Sequence, residues 1–372
     1  MRIAIVFLCF TFLGIQAGSA QERKPLPVDV VFCLDLSGST NGLVDHMRSH
    51  LWDYWNFFSH CDPKPEYRIG FVTFARYSNG KSDGYAKVIS DLGTDFEKMS
   101  SILYDIPVRT EKGEQHIAAA LNVCLRKISW SSNPLAKKII FIVGNGNIYK
   151  GSEDIDETLQ KLYANNVVVH SIYCNIPGEI TAIKGWEKIA QTGGGKISTM
   201  SLHNRYFDNT EVDMDKLRGL SRQFNNTYLY YGKRGAQRWK MLQEEDNNIY
   251  ISNTEGFRFR NLYKISEDYQ NRNSSWDLVD LYGKNPVGYM HVDKKYLNDT
   301  CKKMTPVQLR SYIIFKKYER IRLAALISEL ISGSRQGDTD NDVMKKEMPT
   351  LEVITQKILR DILKDESITY SN

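Results

Sequence analysis

Asp35, Ser37 and Ser39 stand at alternate positions where an apolar run ends, in Val30–Gly42, VVFCLDLSGSTNG. Spacing by two puts one carboxylate and two hydroxyls on converging sides of a tight loop, with Gly38 allowing the bend. That is hard-oxygen chemistry. It suits Mg²⁺, with Mn²⁺ or Ca²⁺ as substitutes, because Mg²⁺ wants six oxygens in an octahedral array and keeps several waters. Asp and Ser are also ordinary N-cap and turn residues, so the triplet alone reads equally well as a turn.

Four other stretches imitate chemistry. His46 and His50 lie at i,i+4 in HMRSH and could share a metal, but the segment lacks the glutamate of a zinc-protease motif and reads first as a solvated helix face. DTDND (Asp338–Asp342) resembles the start of a calcium loop without its glycine or terminal glutamate. TGGGK (Thr192–Lys196) lacks P-loop spacing, has Ile197 where Ser or Thr should follow, and reads as a helix-ending turn. LSGST is no nucleophile elbow, since no G-x-S-x-G occurs. With no nucleophile–base pair and no cysteine pair in the sequence pattern, a non-enzyme is expected.

The elements that must position these residues alternate. VDVVFCLD, RIGFVTFA, KKIIFIVG and NVVVHSIYC are short β-branched runs of the kind that fill buried parallel strands. Between them lie apolar stripes at helical spacing, the first in Asn41–His60 through Leu43, Met47, Leu51, Tyr54 and Phe58, others around Glu114–Ile128 and Asp154–Ala164. The pattern predicts a doubly wound α/β sheet, six-stranded and mainly parallel, with AKVISDL (Ala86–Leu92) as an antiparallel edge. Ligands of such sheets bind at the carboxyl ends of the strands, where the D-x-S-x-S turn stands.

In order and spacing, D-x-S-x-S, RIGFVTFA, the AAAL after Gly113, KKIIFIVGNG, VVVHSIYC and WEKIAQTGGGKIS resemble the von Willebrand factor A family over about Val28–Met200. In that family D-x-S-x-S opens a metal-ion-dependent adhesion site. The resemblance implies a protein-binding domain, often acting through a metal that takes an acidic side chain from its partner. Asp35, Ser37 and Ser39 match the metal positions. Gln115 stands where the family has a threonine in a glycine-rich turn. Asn145, within Gly144-Asn145-Gly146, replaces the aspartate of T-D-G. The set Asp35, Ser37, Ser39, Gln115 and Asn145 thus carries one formal negative charge instead of two, which weakens a cation's hold. Gln115 could offer its amide oxygen, and Glu114 could restore charge.

Composition sets the remaining bounds. The 372 residues are 42% hydrophobic and 25% charged, an ordinary folded chain, and a net charge of +5 gives no support for nucleic-acid binding. Residues 1–20 read as a secretory signal, with one Arg, an apolar run from Ile3 to Ile15, and Gly18 and Ala20 before a cleavage point at Gln21. No later run is long enough to cross a bilayer. An exported protein is expected, periplasmic, surface-held or released. Cys33, Cys61, Cys124, Cys174 and Cys301 then remain, without a CxxC pair; Cys33 and Cys174 should pack as small hydrophobes.

The expected division is a signal at 1–20, an A domain at 21–204 and a mostly helical region at 205–372. In the last, Asp213–Phe224, Thr227–Asp246 and Thr350–Lys364 read as helices. Another starts at Thr305-Pro306 and turns Ile313, Ile314, Tyr318, Ile321, Ala324 and Ala325 inward. YLYYGKRGAQRWK (Tyr228–Lys240) mixes aromatic and basic residues as a domain seam would, or as a grip for polysaccharide or an acidic surface. SSWDLVDL (Ser274–Leu281) suggests a helix with a Ser cap. These stretches resemble C-terminal parts of secreted bacterial A-domain proteins, which implies location more than activity. Two functions follow. One is a protein-binding or scaffolding protein of the bacterial envelope, engaging its partner at the Asp35 end. The other is a structural envelope subunit with a decayed metal site, binding through its helical region.

Overall fold

The computed structural model describes residues 24–40, 42–107, 111–175, 180–202, 212–252, 254–266, 269, 272–333 and 349–370. The signal-like segment 1–20, the boundary near Asn204 and the DTDND loop lie outside the described residues. In chain order the strands are β1 (Pro27–Asp35), β2 (Cys61–Asp62), β3 (Glu66–Phe74), β4 (Lys87–Gly93), β5 (Lys137–Gly144), β6 (Val167–Cys174), β7 (Gly194–Met200) and β8 (Thr369–Tyr370). The helices flanking the sheet are α1 (Leu43–Ser59), α2 (Phe96–Asp105), α3 (Ile117–Lys127), α4 (Ile155–Ala164) and α5 (Ile180–Thr192). Beyond them come α6 (Met214–Asn225), α7 (Gly235–Ser252), α8 (Thr254–Ile265), α9 (Leu278–Lys284), α10 (Asp299–Lys302), α11 (Pro306–Gly333) and α12 (Leu351–Asp365).

Six strands form one sheet in the order β4-β3-β1-β5-β6-β7, parallel except for β4, which pairs antiparallel with β3 at the edge. This is the expected α/β architecture. β1 pairs with both β3 and β5, so the order reverses beside it and a crevice opens at its carboxyl end. Along β1 alternate residues serve opposite cores. Val31 and Cys33 join Ile140, Leu121 and Trp186, whereas Phe32 and Leu34 join Trp52, Phe141 and residues of the second region such as Phe224, Tyr263, Leu323 and Ile358. The helical region therefore completes one wall of the sheet's core. Trp52 and Trp55 each pack 4.8 Å from Tyr263, ring to ring.

Charged side chains fix that wall. Arg260, buried, reaches Glu97 of α2 at 3.3 Å and Asp246 of α7 at 2.5 Å, while Lys264 pairs with the other oxygen of Asp246. Burial pushes the Asp246 carboxyl up, but Lys264 and Arg260 outweigh it and hold the group down at about 2. α12 lies on α1 through a 2.8 Å hydrogen bond between the Tyr54 and Thr355 hydroxyls, and β8 pairs antiparallel with β2.

The helical region departs from expectation in three places. α7 begins at Gly235, because the segment before it is spent on other bonds: Tyr230 bridges Asp277, and the Leu229 amide donates to Asp277 Oδ1 at 2.8 Å. Asp277, and no serine, caps α9, accepting from the Asp280 amide. In α11 the inward set is Leu309, Ile313, Arg320, Leu323, Ile327 and Ile331, with Tyr318, Ile321 and Ala325 exposed. The reason is Arg320, whose guanidinium donates to Asp277 (2.9 Å), Asp280 (2.7 Å) and Thr227 (2.9 Å) and covers the Tyr228 ring at 4.2 Å. A charged residue holds the core position and turns the helix about it. The start of α11 is as expected, with Thr305 and Gln308 bonding reciprocally across Pro306.

No helix among the described residues is long and apolar enough to cross a membrane. The five described cysteines are buried free thiols, and burial pushes Cys61 and Cys301 up to about 11.

Candidate functional site

β1 delivers Asp35 to the crevice, and the Thr40 hydroxyl ties the following loop down by donating to the carbonyls of Asp35 (2.7 Å) and Ser37 (3.0 Å). β5 delivers Asn145 from the neighbouring strand end. The backbones approach so closely that a Cβ on Gly144 would lie 2.5 Å from Asp35 Cβ. Gln115 arrives on the loop before α3. Gly146, at φ +92°, leaves the space that Gln115 fills; a Cβ there would collide with the amide oxygen. The five expected residues meet in one cluster.

Its centre is an amide nitrogen. Gln115 Nε2 donates to Asp35 Oδ2 at 2.7 Å, to Asn145 Oδ1 at 3.0 Å and to Ser37 Oγ at 3.2 Å. The Asp35 carboxylate can only accept when ionised, so it selects the donor end of the amide, whose two hydrogens are shared among the three neighbours. Ser39 Oγ donates to Asn145 Oδ1 at 2.8 Å and lies 2.9 Å from Ser37 Oγ, and the Ser37 amide donates to Asp35 Oδ1 at 2.8 Å. Asp35 and Asn145 are buried, whereas Ser39 is exposed at the rim. Burial pushes the Asp35 carboxyl up, against the hydrogen bonds from Ser37, Gln115 and Asn145 that hold it partly back.

This arrangement does not fit a divalent cation. The oxygens that would ligate it converge on Gln115 Nε2, and Asn145 leaves its own buried Nδ2 without a hydrogen bond. Sequence reasoning expected the Gln115 amide oxygen; the surrounding acceptors select the nitrogen. Glu114 does not restore charge either, being exposed and 2.9 Å from His116 Nε2. The cluster is a closed hydrogen-bonded plug with hydroxyls at its mouth. Around the same strand ends stand Tyr77 and Tyr149, 48% and 62% exposed, the latter with Lys188 Nζ 5.3 Å from its ring centre.

The remaining motifs resolve as follows. TGGGK ends α5 at Thr192, turns at Gly193 and enters β7 from Gly194, the expected helix-ending turn. Tyr228 of the aromatic–basic stretch is buried and stacks 5.4 Å from Trp276, while Lys233, Arg234, Arg238 and Lys240 are exposed. HMRSH is no solvated face: His50 is 7% exposed, and its Nδ1 lies 2.7 Å from Asp53 Oδ2, because α12 covers this side of α1. Glu352 of α12, 3.7 Å from His50 Nε2, escaped sequence reasoning, since nothing local links residues so far apart in the chain.

A comparison with curated proteins finds no match. Among solved structures the chain is similar to the conserved hypothetical protein BatB from Bacteroides thetaiotaomicron, at 16% identity over 47% of this chain and 90% of that one, TM-score 0.36. It is similar to the SpRpn10 VWA domain at 16% identity, over 48% and 89%, TM-score 0.36. It is also similar to proximal thread matrix protein 1 from the mussel byssus, at 20% identity over 48% and 44%, TM-score 0.37. The family model for the von Willebrand factor type A domain matches residues 29–217, just over half of the chain. With that match and the six-stranded sheet, the chain belongs to the von Willebrand factor type A family.

Proposed function

We propose that this protein is a non-enzymatic binding or scaffolding protein that engages a protein partner at the Asp35 end of its sheet without a bound cation. Domains of this family mediate protein–protein interaction and typically hold a divalent metal at the adhesion site. The observation that carries the cation-free reading is Gln115 Nε2, set among the oxygens of Asp35, Ser37 and Asn145. Polar rim groups beside exposed tyrosines suit a contact surface, since tyrosine supplies large apolar area with a hydrogen-bonding tip. The donor set supports the non-enzymatic reading, because the serine hydroxyls bond to each other, to amides and, at Ser37, to the Asp35 carboxyl, with no imidazole among the partners described. Residues 1–20 support export to the bacterial envelope, and amino-terminal sequencing of the purified protein should read from Gln21.

The test is affinity capture of a cross-linked partner with and without a chelator. Capture should survive the chelator and be lost in Ser39→Glu and Tyr149→Ala, with the fold intact. Capture abolished by the chelator and restored by Mg²⁺ would overturn the cation-free reading. Capture indifferent to both substitutions would move the contact surface to the helical region.

A further inference from the structure

A second cluster, sharing no residue with the first, lies between α1 and α12. His46 and His50 project from one side of α1 at i,i+4, the spacing by which a helix presents two imidazoles to one ion. Glu352 enters from the first turn of α12. One ligand atom from each of the three lies within 4.8 Å of the others. Ligands at about 2.0–2.1 Å from a tetrahedral zinc stand roughly 3.3 Å apart. Glu352 Oε2 and His50 Nε2, at 3.7 Å, are already close to that spacing, and His46, half-buried at the rim, closes the rest by a side-chain rotation.

The supporting bonds are those a metal site uses. His50 Nδ1 is 2.7 Å from Asp53 Oδ2, a carboxylate contact that turns Nε2 toward Glu352 and makes the imidazole a stronger ligand. Thr350 Oγ1 donates to Glu352 Oε1 and leaves Oε2 aimed at the histidines. Glu352 is 7% exposed, and its Oε2 is a buried oxygen that accepts no hydrogen bond. His50 Nε2 faces that oxygen at 3.7 Å, beyond hydrogen-bond length. Two buried carboxylates, Asp53 and Glu352, sit in this space, with Arg258 of α8 as a further charge acting on Asp53. A divalent cation between Nε2 and Oε2 gives the buried Glu352 oxygen the partner it lacks and sets positive charge beside the two carboxylates.

We propose that His46, His50 and Glu352 form a zinc site that fastens α12 to α1, with a water in the fourth position. Two imidazoles and one carboxylate are a donor set suited to Zn²⁺, and the half-buried His46 side gives the ion a path in. Because only the folded chain brings these residues together, the ion stabilises the docked helix by mass action.

The full chain, stripped with chelator, is titrated with Co²⁺ alone and then with Zn²⁺ alone. We expect one equivalent of Co²⁺ with the visible absorption of a four-coordinate ion, displaced by Zn²⁺, and a Zn²⁺-dependent rise in melting temperature. His46→Ala and Glu352→Gln should abolish both signals, Asp53→Asn should weaken binding by about 10–100-fold, and Asp35→Ala should leave them unchanged. His46 is half-buried at the rim, so its variant stays interpretable if Glu352→Gln fails to fold. No stoichiometric uptake by the wild type, or uptake by His46→Ala equal to wild type, overturns the proposal. Loss in Asp35→Ala alone would assign the ion to the strand-end cluster instead, overturning the cation-free reading as well.

Discussion

Gln115 Nε2 and Asp35 Oδ2 stand 2.7 Å apart at the centre of the strand-end cluster, a neutral amide against a buried carboxylate. The amide organises the oxygens around it as a cation would, through hydrogen bonds and without charge. Asp35 is left without a full opposite charge among its hydrogen-bond partners, which is why burial dominates its titration.

Replacing the plug should convert the cluster. Gln115→Thr empties the centre and Asn145→Asp supplies a second carboxylate, so the double variant should bind Mg²⁺ while the wild type gives no saturable heat in the millimolar range. Isothermal titration of the two proteins decides it, and wild-type binding equal to that of the double variant would show that the amide rotates away freely.

Arg320 satisfies Asp277 and Asp280 together. Arg320→Ala leaves two buried carboxylates without their cation and should destabilise the fold by about 3–5 kcal/mol in urea unfolding. A loss under 1 kcal/mol, roughly that of a surface pair, would mean water replaces the guanidinium.

His170 is buried, accepts the Lys196 amide at Nδ1 (3.0 Å) and leaves Nε2 without a bond. Burial first, then Lys196, lowers its pKa to about 4. The unfolded chain therefore binds a proton that the folded one refuses between about pH 6.5 and 4. Stability from this group is present above pH 6.5 and falls by about 3 kcal/mol as pH drops through that window. Glu245 and Asp280, which burial pushes up to about 8 and about 7, work in the opposite direction over acidification. The measurement is therefore a difference: wild type minus His170→Asn, which keeps the acceptor, should show the acid loss, and parallel pH profiles would refute it.

Docking of α12 on α1 can be weighed through Tyr54 and Thr355. A double-mutant cycle with Tyr54→Phe and Thr355→Val should give a coupling of about 1 kcal/mol, the usual net worth of such a bond. Additive losses would place the energy of the contact in the surrounding apolar packing.

The sheet was readable in sequence because buried parallel strands are written as continuous β-branched runs, and Asp35, Ser37 and Ser39 follow one of them directly. Gln115 and Asn145 were placed by motif order. Which end of the Gln115 amide faces inward was not readable, since it depends on three acceptors from other segments. The buried face of α11 differs from its apolar periodicity for a related reason: periodicity counts apolar residues, and the position that orients this helix is an arginine matched to Asp277, Asp280 and Thr227. The local pattern reads His50 as solvent-facing because its cover, α12, lies some three hundred residues downstream.

That separation sets a clock on synthesis. Tyr54 meets Thr355, and Phe57 stacks on Tyr370 at 5.2 Å, across about three hundred residues of chain. At a translation rate of about 5–20 residues per second, α1 waits roughly 15–60 s for its cover. During that interval an aromatic ridge that the finished fold hides is open to any passing hydrophobic surface. A nascent chain built this way is a natural client for a holding chaperone, because the first long helix made is among the last to be covered.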